Sequence, residues 1–208
     1  MNCYGPYGES IMNRFVILGH QAVTTGDFSL DDLGGRAGWL DTLTRCVATA
    51  FQLSYGIRKE SDVYLVLMGG KDAPKTVRFY GKELRVLATN ERSISGLIRA
   101  ALTRNPEGRS WIRSAQGIYV SRLSFEQDLS MLSKKGCEFI YLTEGGTDVR
   151  EFDFPEEPCF ILGDNVDPSE KEQQLMSQYS AKKMSVGPRS YHADHCVTVI
   201  LNELDRRL

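Results

Sequence analysis

Two kinds of apolar pattern alternate along the chain. Arg14-Phe-Val-Ile-Leu-Gly19, Asp62–Met68, Cys137–Thr143 and Cys159–Gly163 are nearly unbroken in apolar side chains. A strand covered on one face alternates apolar and polar positions, whereas a strand covered on both faces reads as a continuous run. These four segments therefore predict buried strands. Thr76–Tyr80 and Glu83–Leu87, separated by Gly81-Lys82, predict a hairpin, and Ile118–Arg122 predicts a further short strand.

Between these runs the period changes to that of a helix. Leu40, Leu43, Val47, Ala50 and Phe51 make one stripe, with Gly56 as its expected stop. Ile94, Leu97, Ile98, Ala101 and Leu102 make a second. Ser124-Phe-Glu-Gln127 is a capping box that opens a helix carrying Phe125, Leu129 and Leu132, closed by Gly136. Asp167-Pro168-Ser169-Glu170 predicts the same box with proline at the first helical position. Ala193, Cys196, Val197, Ile200, Leu201 and Leu204 form the last stripe, with Asp194, His195, Asn202, Glu203 and Asp205 expected on its polar side.

Buried strands alternating with helices predict an α/β fold with a mostly parallel sheet. No linker-like stretch divides it, and Asn105–Gln116 is the longest expected loop. In open α/β sheets the ligand crevice lies beyond the carboxyl ends of the strands. Here those ends are Leu142–Gly146, Gly163–Asp167 and Ser185–Arg189.

Composition excludes classes rather than selecting one. The 208 residues are 41% hydrophobic and 25% charged, which excludes a disordered chain. No apolar run reaches the roughly 18 residues of a membrane span. The first ten residues hold no Lys, no Arg and no apolar block, so no signal peptide is expected. The five cysteines (Cys3, Cys46, Cys137, Cys159, Cys196) form no Cys-x-x-Cys and read as free thiols of a reducing cytoplasm.

Charge distribution says more than net charge. Residues 144–172 carry ten acids and two bases, a local charge of −8. With a total of −2, the remainder is +6. A basic face opposite an acidic strip attracts phosphate despite the balanced total; uneven surface charge is the competing reading.

Familiar catalytic motifs are missing. There is no G-x-G-x-x-G, no G-x-x-x-x-G-K-[ST] and no G-x-S-x-G. His192-x-x-His195-Cys196 has the wrong spacing for a zincin, and no metal site is expected. Cys46 lies on the apolar stripe of its helix and reads as a packing thiol. Gly163-Asp164-Asn165 ends a buried strand with a charge, and Ser185-Val-Gly-Pro-Arg189 is a turn directly before the last helix. Helix N-termini present free backbone N–H groups that suit an anion or a purine edge. A plain strand-to-helix connection accounts for the same residues.

At those residues the chain resembles a known family. Ser185-Val-Gly-Pro-Arg-Ser-Tyr-His-Ala-Asp-His-Cys-Val-Thr-Val-Ile-Leu-Asn-Glu-Leu-Asp205 is similar to the C-terminal signature of the archaeal tRNA pseudouridine N1-methyltransferases (TrmY). So are Phe160-Ile-Leu-Gly-Asp164, Gly117-Ile-Tyr-Val-Ser-Arg122 and Leu40-Asp-Thr-Leu-Thr-Arg-Cys-Val47. The likeness runs in order from Met12 to the C-terminus. It implies 12–208 as a single domain of the SPOUT class, with a C-terminal deep trefoil knot, and 1–11 as a disordered extension. It also implies S-adenosylmethionine as cofactor, a homodimer with sites near the subunit interface, and an RNA substrate methylated on N1 of a pseudouridine in the tRNA T-loop. The same fold on another RNA, such as ribosomal RNA, and a non-catalytic RNA-binding or assembly factor are the alternatives.

Carried over by residue, the resemblance places the cofactor at Leu142, Gly163, Met184, Ser185, Val186, Gly187, Pro188, Arg189 and Cys196. Backbone groups of Met184–Arg189 read the adenine edge, Leu142 and Cys196 give apolar contact, and Asp164 balances the sulfonium or holds the ribose. Asp41 and Arg45, one helical turn apart, are candidates for positioning the base or a phosphate, or form an intrahelical pair. The family pattern has Pro-Gly before the first helix and Arg before Leu-Asp. Here the segment is Gly34-Gly35-Arg36-Ala37-Gly38-Trp39-Leu40-Asp41, with Trp39 in place of that Arg and Gln116 in place of a Pro.

Overall fold

The unbroken apolar runs become the middle of one eight-stranded sheet. The structure is a computed structural model and describes residues 11–88 and 90–207, so the extension expected over 1–11 lies, but for Ile11, outside the described residues. In chain order its elements are β1 (Asn13–Val23), α1 (Leu40–Phe51), β2 (Gln52–Leu53), β3 (Gly56–Ile57), β4 (Ser61–Gly69), β5 (Lys75–Tyr80), α2 (Glu91–Leu102), β6 (Ile112–Ala115), β7 (Ile118–Ser121), α3 (Phe125–Ser133), β8 (Glu138–Asp148), β9 (Pro158–Gly163), α4 (Glu170–Gln178), β10 (Lys182–Ser185) and α5 (Ala193–Arg206). The sheet order is β10-β8-β9-β1-β4-β5-β7-β6. The first five in that order are parallel to their neighbours, and β5, β7 and β6 add an antiparallel edge.

The continuous runs arise because both faces are covered. On β1, Phe15 and Ile17 point to one side and Val16 and Leu18 to the other; on β4, Val63 and Leu65 oppose Tyr64 and Val66. The first side packs against α1, α2 and α5, and the second against α3 and α4 through Phe125, Leu129, Leu132 and Met176. Phe15 stacks on Phe160 across β1 and β9 at 5.3 Å. Fully burying one such side chain stabilises by about 2 kcal/mol.

Several expectations from the sequence change. Glu83–Leu87 is not a strand: Leu84 and Leu87 are both buried three residues apart, which strand alternation forbids, and Val86 is 81% exposed. The edge of β5 they would have paired with is taken by β7. Gly56 does not stop α1. Gln52 caps it in extended conformation, and Gly56 lies in the small β2–β3 hairpin. The α4 cap moves along the chain: Ser169 is the N-cap, in a complete capping box with Glu172, so Pro168 precedes the helix. The box at Ser124 stands as expected. Asn105–Gln116 is shortened by β6, and the segment from 24 to 39 is the longer connection. It delivers the chain to α1 through Trp39, held at φ 61° and 41% exposed. A left-handed backbone at a bulky residue is strained, of order 1–3 kcal/mol.

No helix among the described residues is long and apolar enough to cross a membrane.

Candidate functional site

The three predicted carboxyl ends meet. Beyond β8, β9 and β10 lies a cleft of about 510 Å³, walled by Leu142–Glu144, Leu162–Asn165, Ser185–Gly187 and the residues from Arg189 to Ala193 with Cys196. Parallel strands β8, β9 and β10 end on the same side of the sheet, so their loops converge without further design. Of the nine residues expected at a cofactor, Leu142, Gly163, Ser185, Val186, Gly187, Arg189 and Cys196 line this cleft. Met184 is fully buried in the core and Pro188 does not line the cleft.

The turn after β10 is pinned from within. The Ser185 hydroxyl donates to the Gly187 carbonyl at 2.9 Å and accepts the Gly187 N–H at 3.1 Å. Gly187 has φ +139°, and a Cβ there would meet no protein atom within 4 Å. That position borders the cleft and is sterically open. Gly163 is different: a Cβ would lie 2.5 Å from the Val166 carbonyl oxygen. It is needed to close the loop itself, before any ligand is considered.

The lining is acidic. Glu144, Asp164 and Asp167 border the cleft, against Arg189 as the one Lys or Arg in its lining. A hydrogen bond from Ser190 holds the Glu144 carboxyl below the ordinary range. Such a lining favours a cation and disfavours phosphate. Cys196 donates a weak hydrogen bond to the Tyr191 carbonyl at 3.8 Å, and burial pushes its thiol up to about 11. It is a neutral, softly apolar wall rather than a nucleophile. Burial also raises Cys46 well above its ordinary value, in keeping with a packing thiol.

Asp164 does not offer a free carboxylate. Its side chain is 0% exposed. Its Oδ2 accepts the His20 N–H at 3.0 Å, and its Oδ1 accepts the Val166 N–H at 2.9 Å and faces His20 Nδ1 at 3.3 Å. It therefore anchors the loop from inside, where ligand contact had been expected.

Asp41 and Arg45 stand outside the cleft lining. Arg45 Nη1 donates to Asp41 Oδ2 at 2.8 Å, so the intrahelical pair forms. Arg45 also lies 3.6 Å from Glu91 and 3.9 Å from Asp194. Asp194, expected on the polar side of α5, is 8% exposed and turned toward α1, while Ala193 and Cys196 on the same first turn face the cleft. The Asp41–Arg45 pair is thus separated from the cleft by one turn of α5. Buried oxygens Oδ1 of Asp41 and of Asp194 have no hydrogen-bond partner. Burial would lower the Arg45 pKa, but Asp41, Glu91 and Asp194 outweigh it and raise it.

Sequence reasoning missed the stretch Ser190–His192, Gln173, and the partnership of His20 with Asp164. The first two follow once α4 and α5 are placed. The third had a trace in the sequence: His20 directly follows the buried run of β1, and β1 pairs with the strand that ends in Gly163-Asp164.

Comparisons with known proteins agree with this architecture. Residues 12–208 match the family model described as "Putative SAM-dependent RNA methyltransferase". The tRNA (pseudouridine(54)-N(1))-methyltransferase of Methanococcoides burtonii is 41% identical over 198 residues, covering 95% of this chain and 98% of that one. The enzyme of the same name from Methanosarcina mazei is 44% identical over 196 residues, covering 94% and 92%. Among solved structures, Archaeoglobus fulgidus Nep1 bound to S-adenosylhomocysteine superposes with a TM-score of 0.63 at 15% identity, covering 94% of this chain and 98% of that chain. That likeness shows a common SPOUT-type α/β fold. On the family match and these identities, the chain belongs to the S-adenosylmethionine-dependent RNA methyltransferases.

Proposed function

We propose that this enzyme methylates N1 of a pseudouridine in tRNA, as its relatives' names state of them, at the T-loop position that the resemblance implies. The observation that carries the reading is the convergence of Leu142, Gly163 and the Ser185–Arg189 turn on one acidic cleft at the carboxyl ends of parallel strands. The cleft lies within the roughly 300–1,000 Å³ of small-molecule sites. Gly187 leaves open space at its edge, and its carboxylates match a cationic ligand. These features fit S-adenosylmethionine, whose sulfonium supplies an electrophilic methyl group.

In this reading the backbone of Ser185–Gly187 and of Arg189 reads the adenine edge, Met184 and Pro188 shaping that turn from outside the cleft, and Leu142 and Cys196 give apolar contact. Glu144 and Asp167 balance positive charge in the cleft, a role Asp164 cannot fill with its carboxylate enclosed. Methyl transfer is an in-line displacement, so the chain's work is mainly to orient the nucleophile. Asp41, its carboxylate held by Arg45 through Oδ2, orients the base or accepts the N1 proton, and because the pair stands outside the cleft of its own chain it meets the base only at a site shared with the second copy. No step calls for a metal. The C-terminal segment threads a trefoil knot, 12–208 acts as one domain in the cytoplasm, and two copies pair with their sites near the interface. Light scattering should then give about twice 23.4 kDa.

RNA phosphates would meet the far half of the same rim. β7 is parallel to β4, since both are antiparallel to β5, so Arg122 and the 103–111 loop lie on the cleft side of the sheet. Lys71, Arg104 and Arg109 are exposed there. The deciding experiment uses two T-loop RNAs, one with uridine and one with pseudouridine. Only pseudouridine has a free N1–H, because in uridine that nitrogen is the glycosidic link. Methylation of the pseudouridine RNA alone is expected; equal methylation would overturn the assignment. Loss of 1-methylpseudouridine from bulk tRNA nucleosides in a deletion strain would place the reaction on tRNA.

A further inference from the structure

His20 stands at the carboxyl end of β1, between two carboxylates that come from residues far along the chain. Its Nδ1 faces Asp164 Oδ1 at 3.3 Å, and its Nε2 faces Glu172 Oε2 at 3.2 Å. Both oxygens are already accepting: Asp164 Oδ1 from the Val166 N–H, and Glu172 Oε2 from the Ser169 N–H and hydroxyl. An ionised carboxylate has no proton to give. A neutral imidazole would turn a lone pair toward one of them, so the arrangement favours the ring with hydrogen on both nitrogens, the cation. It is 19% exposed by side chain, beside a carboxylate that is 0% exposed and one that is 15% exposed.

The position makes this cation useful. Asp164 closes the loop that walls the cleft after β9, and Glu172 belongs to the capping box that starts α4. One ring ties both to the end of β1. The charged groups facing it are Asp164 from the loop and Glu172 from α4; the neighbouring stretch of β4, Leu67–Gly69, is not ionisable.

We infer that His20 is a positioning residue for the cofactor, a cationic clamp that holds the Gly163–Val166 loop in its binding shape and loosens it on deprotonation. The inference rests on the cleft being the S-adenosylmethionine site. The hydrogen bond with Asp164, and then that with Glu172, hold the His20 pKa above its ordinary value against the effect of burial. The clamp is therefore closed below the ordinary histidine range and opens as pH rises through the raised value.

Two measurements test it. Calorimetry with S-adenosylhomocysteine from pH 6 to pH 9 should show wild-type affinity falling about tenfold, the loss of one charge-assisted hydrogen bond on the loop. His20→Gln, which keeps one donor and no titration, should bind about tenfold more weakly than wild type at pH 6 and show no fall as pH rises. Amide exchange of the 160–170 segment, corrected for intrinsic rates, should report the same opening without any ligand. A pH-dependent loop in wild type that is flat in His20→Gln, with no S-adenosylhomocysteine bound by either, keeps the clamp and overturns the cofactor site. Bound ligand with flat curves in wild type, or with the same curves in His20→Gln, overturns the clamp.

Discussion

At the β8–β9–β10 end of the sheet the buried side chain of Asp164 faces the His20 ring and two backbone N–H groups. At the β5–β7 end the buried carboxyl of Asp128 faces the Thr76 hydroxyl, and its Oδ1 has no partner. Both side chains are removed from water. The difference lies in company. Burial pushes Asp128 up to about 7, and the Thr76 hydrogen bond and Lys135 offset only part of that. Asp164 is thus hydrogen-bonded on both oxygens, whereas Asp128 keeps one oxygen unpartnered even though β5 carries interior cations, Lys75 on the Thr24 carbonyl and Arg78 on the buried Asp62. On the surface the two ends differ in balance: Glu144 and Asp167 border the cleft with Arg189, whereas Lys71, Arg104 and Arg109 border the distal rim. Four strand spacings separate β9 from β7, about 19 Å along the rim. A cationic cofactor and a polyanionic substrate can share one edge at that distance without competing for it.

The sharpest way to break the comparison is within the cleft. Gly187→Ala places a Cβ where no protein atom stands, at the cost of backbone strain at φ +139°, so S-adenosylhomocysteine affinity should fall by about 100-fold or more in titration calorimetry with a modest loss of thermal stability and RNA affinity unchanged. Gly163→Ala should lose cofactor affinity together with thermal stability, because its Cβ meets the Val166 carbonyl. If the Gly187 variant keeps its cofactor affinity, the open space there is not the ligand's.

Next in size is Asp41→Asn. A general base contributes typically 100- to 10,000-fold. Single-turnover methylation should drop by about 100-fold with cofactor affinity unaltered; a loss below about tenfold returns Asp41 to its pairing with Arg45.

Asp128→Asn probes the distal half. The folded pKa stands above the unfolded one, so the folded state holds this proton more tightly. Its stability contribution is full below about pH 4 and is lost as pH rises through about 7. The amide should therefore stabilise the protein at pH 8, by roughly 1–3 kcal/mol, and leave it little changed at pH 4. Thermal melts at the two pH values check the sign.

The smallest expected effect separates free from engaged cations. Arg122 is tied to Asp72 at 2.7 Å, and Arg45 to Asp41, so Ala at either should alter the salt dependence of RNA binding little. Arg104→Ala with Arg109→Ala should flatten the slope of log K against log salt by about 0.7 per lost phosphate contact.

How much of this was legible depends on the range of the interaction. The buried strands and the Ser124 box were readable because each is fixed by residues within a few positions. The hairpin at Glu83–Leu87 failed because a strand edge is allotted by whichever segment arrives there, and β7 arrives. The cleft was legible as three strand ends, since parallel topology alone brings them together. The anchoring of Asp164 by His20 was not, because its partners are 144 positions apart and no local pattern encodes the meeting. Asp194 misled for a related reason: helical spacing placed it with the polar residues, and only the packing of α1 on α5 shows why a carboxylate belongs on the inner side.

The central place of β1 has a consequence for how the chain is made. β1 ends at Val23, and its partner β9 begins at Pro158, 135 residues later. At roughly 5–20 residues per second, a ribosome needs about 7–27 s to deliver that second partner. Throughout this interval the nascent chain holds a long apolar edge with no strand to close it, and the helix that covers α1 is the last to emerge. Early fragments of this enzyme are therefore natural clients for cellular holdases, and co-translational capture should peak before residue 158 has left the exit tunnel.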